Sequence, residues 1–65
     1  MRLRFLGTNS EQGTCPAIYA TDRDTFVVQG RIVDDPKALG DVVNLGADET
    51  LVEIPRELVQ FFDKR

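Results

Sequence analysis

Two short runs rich in β-branched and aromatic residues, Ala17-Ile18-Tyr19-Ala20 and Thr25-Phe26-Val27-Val28-Gln29, flank the polar break Asp22-Arg23-Asp24. This arrangement predicts a β-hairpin, because such residues fit a pleated, half-buried surface and aspartate is at home in turns. A three-residue loop sets Thr21 opposite Thr25, Ala20 opposite Phe26 and Ile18 opposite Val28. Alternation then puts Ile18, Ala20, Phe26, Val28 and Ile32 on one face, and Tyr19, Thr21, Thr25, Val27 and Arg31 on the other. One residue more or less in the loop would re-pair both faces. The hairpin therefore constrains the fold strongly, while no catalytic motif lies on it.

A hairpin needs a cover, and this chain has little to offer. Sixty-five residues make one small domain, which buries roughly 60% of the surface its unfolded form exposes. Domains of this size usually gain their margin from disulfides, a metal or a partner. Cys15 is the single cysteine and histidine is absent, so no disulfide can close within the chain and the commonest zinc ligand is missing. A protein partner or a homodimer is the support to expect, with no cofactor.

The remaining chain supplies few elements. Leu3 to Leu6 reads as a first strand, with Leu3 and Phe5 on one face and Arg2, Arg4 and Leu6 on the other. Gly7 ends it, and Thr8 to Thr14 is a loop by composition. Cys15-Pro16 leads into the hairpin in extended geometry. Gly30 marks a bend or a close backbone approach, after which Arg31-Ile32-Val33 continues at an angle. Asp35 as N-cap, Pro36 at the first helical position and Gly40 beyond the last turn predict a compact helix. Asp41 to Leu45 is either a continuation of that helix or a short extended piece. Gly46 to Glu49 is a turn, and Thr50 to Ile54 a strand. Pro55 opens a C-terminal helix in which Leu58, Val59, Phe61 and Phe62 repeat at helical spacing. Glu57 in its first turn and Lys64 and Arg65 near its end suit the helix dipole. The order predicts an α+β fold, a small antiparallel sheet of three to four strands with the C-terminal helix packed on one face and Phe26 against Leu58.

Charge and hydropathy exclude some partners. The net charge is −3, and the basic residues are scattered along the chain, which argues against a nucleic-acid binder. No apolar run approaches the length of about 20 residues that a membrane span needs. Met1 to Leu6 is too short for a signal-peptide core. The expectation is a cytoplasmic protein with no membrane association.

Four aspartates, Asp22, Asp24, Asp34 and Asp35, are dense enough to raise a divalent-cation site, and with it a small metal-dependent enzyme or enzyme subunit. Turn and cap chemistry accounts for the same residues, and the glycine and glutamate offsets of a calcium loop are missing. Cys15 lacks a neighbouring base, and Pro16 removes the backbone N–H that could have stabilised a thiolate. Arg2, Arg4 and Arg31 are the residues a direct nucleic-acid binder would use. Tyr19 carries more weight. With Val27 and Val33, and with Leu6 within reach, it makes an apolar patch on the face that one helix cannot cover. Either a partner buries that patch, or the first strand or the 41–45 segment folds over it. Phe61 and Phe62 are adjacent, so one of them should be peripheral.

The strand Ala17 to Ala20 entered from Cys15, the turn Thr21-Asp22-Arg23-Asp24, the strand Thr25 to Gly30 and the closing Val52-Glu53-Ile54-Pro55-Arg56-Glu57-Leu58 carry a resemblance. In that order they resemble the very small actinobacterial proteins encoded beside helix-turn-helix regulators, and more distantly the BldB-type group of developmental regulators. The likeness covers about two-thirds of the chain and departs from the group's tryptophan-bearing final helix, for which Phe61 or Phe62 would have to substitute. It implies a regulatory, non-enzymatic accessory role and transfers no functional residue. The expected function is a protein-interaction module, accessory to a DNA-binding transcriptional regulator, with Tyr19, Val27 and Arg31 on its contact surface.

Overall fold

A five-element β framework and two short helical pieces make up the computed structural model, which describes residues 1–9 and 16–63. The readings made above on Cys15, Lys64 and Arg65 fall outside those residues. In chain order the elements are β1 (Leu3–Gly7), β2 (Ala17–Thr21), β3 (Phe26–Gln29), β4 (Arg31–Ile32), α1 (Pro36–Gly40), β5 (Val52–Glu53) and a 3-10 helix over Arg56–Asp63. The architecture is α+β. A three-stranded antiparallel sheet runs β1-β2-β3, and β4 and β5 pair separately as a two-stranded sheet.

The hairpin has the register its loop dictates. Ile18 faces Val28, Tyr19 faces Val27 and Ala20 faces Phe26. Thr21 N–H donates to the Thr25 carbonyl at 3.0 Å, which closes a loop of Asp22, Arg23 and Asp24. Asp24 takes φ 59°, the left-handed residue that a three-residue hairpin loop requires and that aspartate tolerates. Thr21 braces the turn: its hydroxyl oxygen accepts from the backbone N–H of Arg23 and of Thr25.

β1 adds to the other side of β2, with Leu3 opposite Thr21 and Phe5 opposite Tyr19. The register slips between Phe5 and Gly7, so that Gly7 rather than Leu6 comes to face Ile18. That bulge decides which residues enter the core.

Gly30 separates the two sheets. A Cβ there would stand 2.6 Å from the Glu53 carbonyl oxygen and 2.8 Å from Ile54 Cγ2, so only glycine admits β5 this closely. Beyond it Arg31 pairs with Glu53 and Ile32 with Val52, and Val33 N–H reaches the Leu51 carbonyl. The strand expected over Thr50 to Ile54 is confined to Val52–Glu53. In α1, Asp35 caps as expected: its carboxylate accepts from Lys37 N–H at 2.9 Å, with Pro36 in the first turn. Gly40 is the last helical residue and Asp41 the C-cap, so Gly40 lies inside the helix rather than at the C′ position the sequence reading gave it. Residues 41–45 are neither helix nor strand, and Asn44 there takes φ 63°. The 46–49 turn forms, with Gly46 N–H donating to Glu49 Oε1 at 2.7 Å.

The core lies where the C-terminal segment crosses β1 and β2. Ile18 and Leu58 are completely buried, and Ala17 and Ala20 nearly so. Three corrections belong here. The segment after Pro55 winds as a 3-10 helix rather than an α-helix, starting with the Leu58 N–H to Pro55 carbonyl bond. Residues three apart eclipse in that geometry, so Leu58 and Phe61 share one side, and Val59 turns outward. Phe26 is only half-buried, and its ring meets Phe62 edge-on at 4.9 Å. Nor is either Phe61 or Phe62 peripheral. Both are half-buried, Phe61 with its ring against Gly7 and Phe62 against Phe26.

Candidate interaction surface

Alternation along three strands fixes the second face of the larger sheet. The register places Leu3 and Phe5 from β1, Ala17, Tyr19 and Thr21 from β2, and Val27 and Gln29 from β3 on the side away from the 3-10 helix. Ala17 is buried there and Tyr19, Thr21 and Val27 are half-buried, while Leu3 and Phe5 stand exposed. Thr25 adds its hydroxyl, 2.7 Å from that of Thr21. None of these residues carries a charge.

The centre of the surface is a straight cross-strand row, Phe5–Tyr19–Val27. Phe5 and Tyr19 meet edge to face with ring centroids 5.9 Å apart. Such geometry suits the aromatic quadrupoles and adds about 0.5–1.5 kcal/mol beyond area burial. The Tyr19 hydroxyl donates to Gln29 Oε1 at 2.8 Å, so the polar end of the ring is satisfied within the chain. Phe5 nonetheless stays 56% exposed and Leu3 49%. An aromatic and a leucine left half in water on one sheet face form an apolar patch of the kind that marks contact surfaces.

The structure joins two of the three residues singled out from sequence. Tyr19 and Val27 are direct cross-strand partners. Arg31 stands apart from them in β4, opposite Glu53 in the smaller sheet, because the chain changes sheets at Gly30. There it lines a cleft of about 260 Å³ with Pro16, Glu53, Ile54 and Pro55. Leu6, expected beside Tyr19, is not on this face: the regular part of the β1 register sets Phe5 opposite Tyr19 and Leu3 opposite Thr21, so Leu3 and Phe5 occupy it. Sequence reasoning missed these two. Their alternation is visible, but the long loop between Gly7 and Pro16 gives no register against β2.

Three of the four aspartates singled out above occupy structural positions. Asp22 and Asp24 sit in the hairpin turn, and Asp35 is spent on the α1 cap. No three carboxylates or thiols gather into a metal-binding group among the described residues. Nor, among those residues, is any helix long and apolar enough to cross a membrane.

The molecule is also more open than a closed globule of its length. Its radius of gyration is 13.1 Å, where about 11 Å is usual for 65 residues. Its accessible surface is 5403 Å², against about 4,200 Å² for a monomer of 7.3 kDa. Fold and surface together define a thin α+β domain in which, among the described residues, the 3-10 helix covers one face of the larger sheet and Leu3 and Phe5 stand exposed on the other. No protein-family model, curated protein or solved structure matches the chain.

Proposed function

We propose that this chain is a non-enzymatic protein-interaction module that works through the bare face of its three-stranded sheet. The observation that carries the reading is the uncharged row Phe5–Tyr19–Val27, with Phe5 more than half exposed while, among the described residues, only Ala17, Ile18, Ala20 and Leu58 form the buried apolar core. A surface of that composition gains most when another protein dries it, since each buried apolar Å² is worth about 25 cal/mol. The resemblance to small actinobacterial proteins encoded beside helix-turn-helix regulators gives the biological setting. The module is an accessory component of a DNA-binding transcriptional regulator, acting in the cytoplasm, and its acidic balance leaves DNA contact to the regulator.

The test is capture by tagged wild-type chain, with identification by mass spectrometry, run beside Phe5→Glu and Val27→Glu. The expected result is a specific protein held by wild type and lost by both variants, whose far-UV circular dichroism is unchanged. Equal capture by wild type and variants would sink the assignment of this face.

A further inference from the structure

We infer that the outer edge of β1 takes up an extended segment of another protein as a fourth strand, and that this segment alternates acidic with apolar residues. The inference rests on the proposed interaction role and adds the place and chemistry of docking.

Backbone direction selects the edge. Thr21 N–H donates to the Thr25 carbonyl, so Thr21, Tyr19 and Ala17 aim their backbone groups at β3, while Ile18 and Ala20 aim theirs at β1. Arg4, opposite Ala20, thus bonds inward to β2. Leu3 and Phe5 aim their N–H and carbonyl groups outward, where β1 is the end of the sheet. Outward donors and acceptors in a row are a template for an extended chain.

The side chains say what that chain carries. On the face of Tyr19, Ala17 is buried and Tyr19 and Val27 are half-buried, but Leu3 and Phe5 stand in water. A neighbour alongside β1 covers those two without crossing the sheet, and it needs apolar residues there. On the other face stand Arg2 and Arg4, exposed and without an ion pair among the described residues, on a chain of net charge −3. Acidic cross-strand neighbours complement them. Charges on an edge also guard it against unwanted pairing. Here they guard selectively. A copy of β1 paired antiparallel about Leu3 or Arg4 would set arginine against arginine, whereas an acidic strand is drawn in. The opposite edge, β3, has no charged residue with which to make that choice.

The probe is a peptide of about eight residues alternating glutamate and valine, titrated into the full chain and followed by amide hydrogen exchange. Arg4 N–H, bonded within the sheet, is the internal reference. Saturable binding is expected to slow exchange at Leu3 and Phe5 roughly tenfold or more, with Arg4 little changed. Reversing both charges, Arg2→Glu with Arg4→Glu, should weaken binding roughly tenfold, since exposed ion pairs are individually modest. Leu3→Pro removes one outward N–H at the start of the strand, where proline is tolerated, and should weaken binding more than Leu3→Ala. Should that variant fail to fold, the same peptide N-methylated throughout removes the hydrogen bonds from the other side. The inference is overturned by no saturation at about 2 mM peptide, or by binding that leaves exchange at Leu3 and Phe5 unchanged. Equal affinity for a lysine–valine peptide, or full affinity of the N-methylated one, overturns it too. The interaction role fails separately. A protein captured by wild type and lost by Phe5→Glu, but leaving the Leu3 and Phe5 amides exchanging freely, keeps that role and loses only the added strand. Neither peptide binding nor specific capture loses both.

Discussion

The two faces of the three-stranded sheet come from the same strands by strict alternation, yet they end differently. On one side Ile18 and Ala20 are sealed beneath the 3-10 helix, with Leu58 fully buried and Phe61 pressed on Gly7. On the other, Phe5, Tyr19 and Val27 form an equally apolar row with nothing from the described residues closing over Phe5 or Leu3. Hydrophobicity is therefore not what separates a core from a contact surface here. The difference is the supply of cover: one eight-residue helical segment crosses one face, while β4 and β5 pair separately beyond Gly30 and leave Leu3 and Phe5 on the other exposed.

Substitutions on the two faces should differ in size and in kind. The largest effect is expected for Leu58→Ala, which empties the one fully buried side chain of the cover and should cost about 2–5 kcal/mol. A domain this small would then be mostly unfolded at 25 °C, visible as loss of a cooperative thermal transition. A melting temperature within a few degrees of wild type would show that the two faces are not so unequal.

Gly7→Ala comes next. Its Cβ would lie 2.4 Å from a Phe61 ring carbon, so the cover must lift or the ring must turn, at about 1–3 kcal/mol. Because the clash is with one ring, Phe61→Ala in the same chain should recover part of that loss. The double variant would be less destabilised than the sum of the singles in urea melts. Strict additivity would mean that the helix does not bear on Gly7.

The smallest effect on folding belongs to the bare face. Phe5→Ala should lower stability by only about 0.5–1.5 kcal/mol, mainly through the lost edge-to-face contact with Tyr19. It would be read from the urea midpoint at concentrations low enough to exclude association. A loss as large as that of Leu58→Ala would mean that Phe5 belongs to the core, and the distinction between the faces would collapse.

Much of this arrangement was legible from local chemistry. The β2–β3 pairing follows from a three-residue loop and needs no knowledge of the rest of the chain. The Asp35 cap and Pro36 start of α1 are equally local. What escaped the sequence depends on distant partners. The β1 register is set across a long sequence separation, so whether Leu3 and Phe5 or Leu6 would share Tyr19's face could not be read locally. Arg31 seemed to share a face with Tyr19 because alternation was carried through Gly30, where the strand leaves its sheet. The spacing of Leu58, Phe61 and Phe62 fits an α-helix and a 3-10 helix alike. Phe61's seat on Gly7 and Phe62's against Phe26 are contacts with strands far away in sequence, and local spacing cannot weigh them.

The order of elements has a consequence during synthesis. Residues through Gln29 complete the sheet, but Leu58 emerges about thirty residues later, roughly 1.5–6 s at ordinary translation speeds. For that interval the nascent hairpin carries two greasy faces and open strand edges rather than one. A polypeptide in that state shows the exposed apolar surface and unpaired strand edges that make ribosome-associated chaperones necessary.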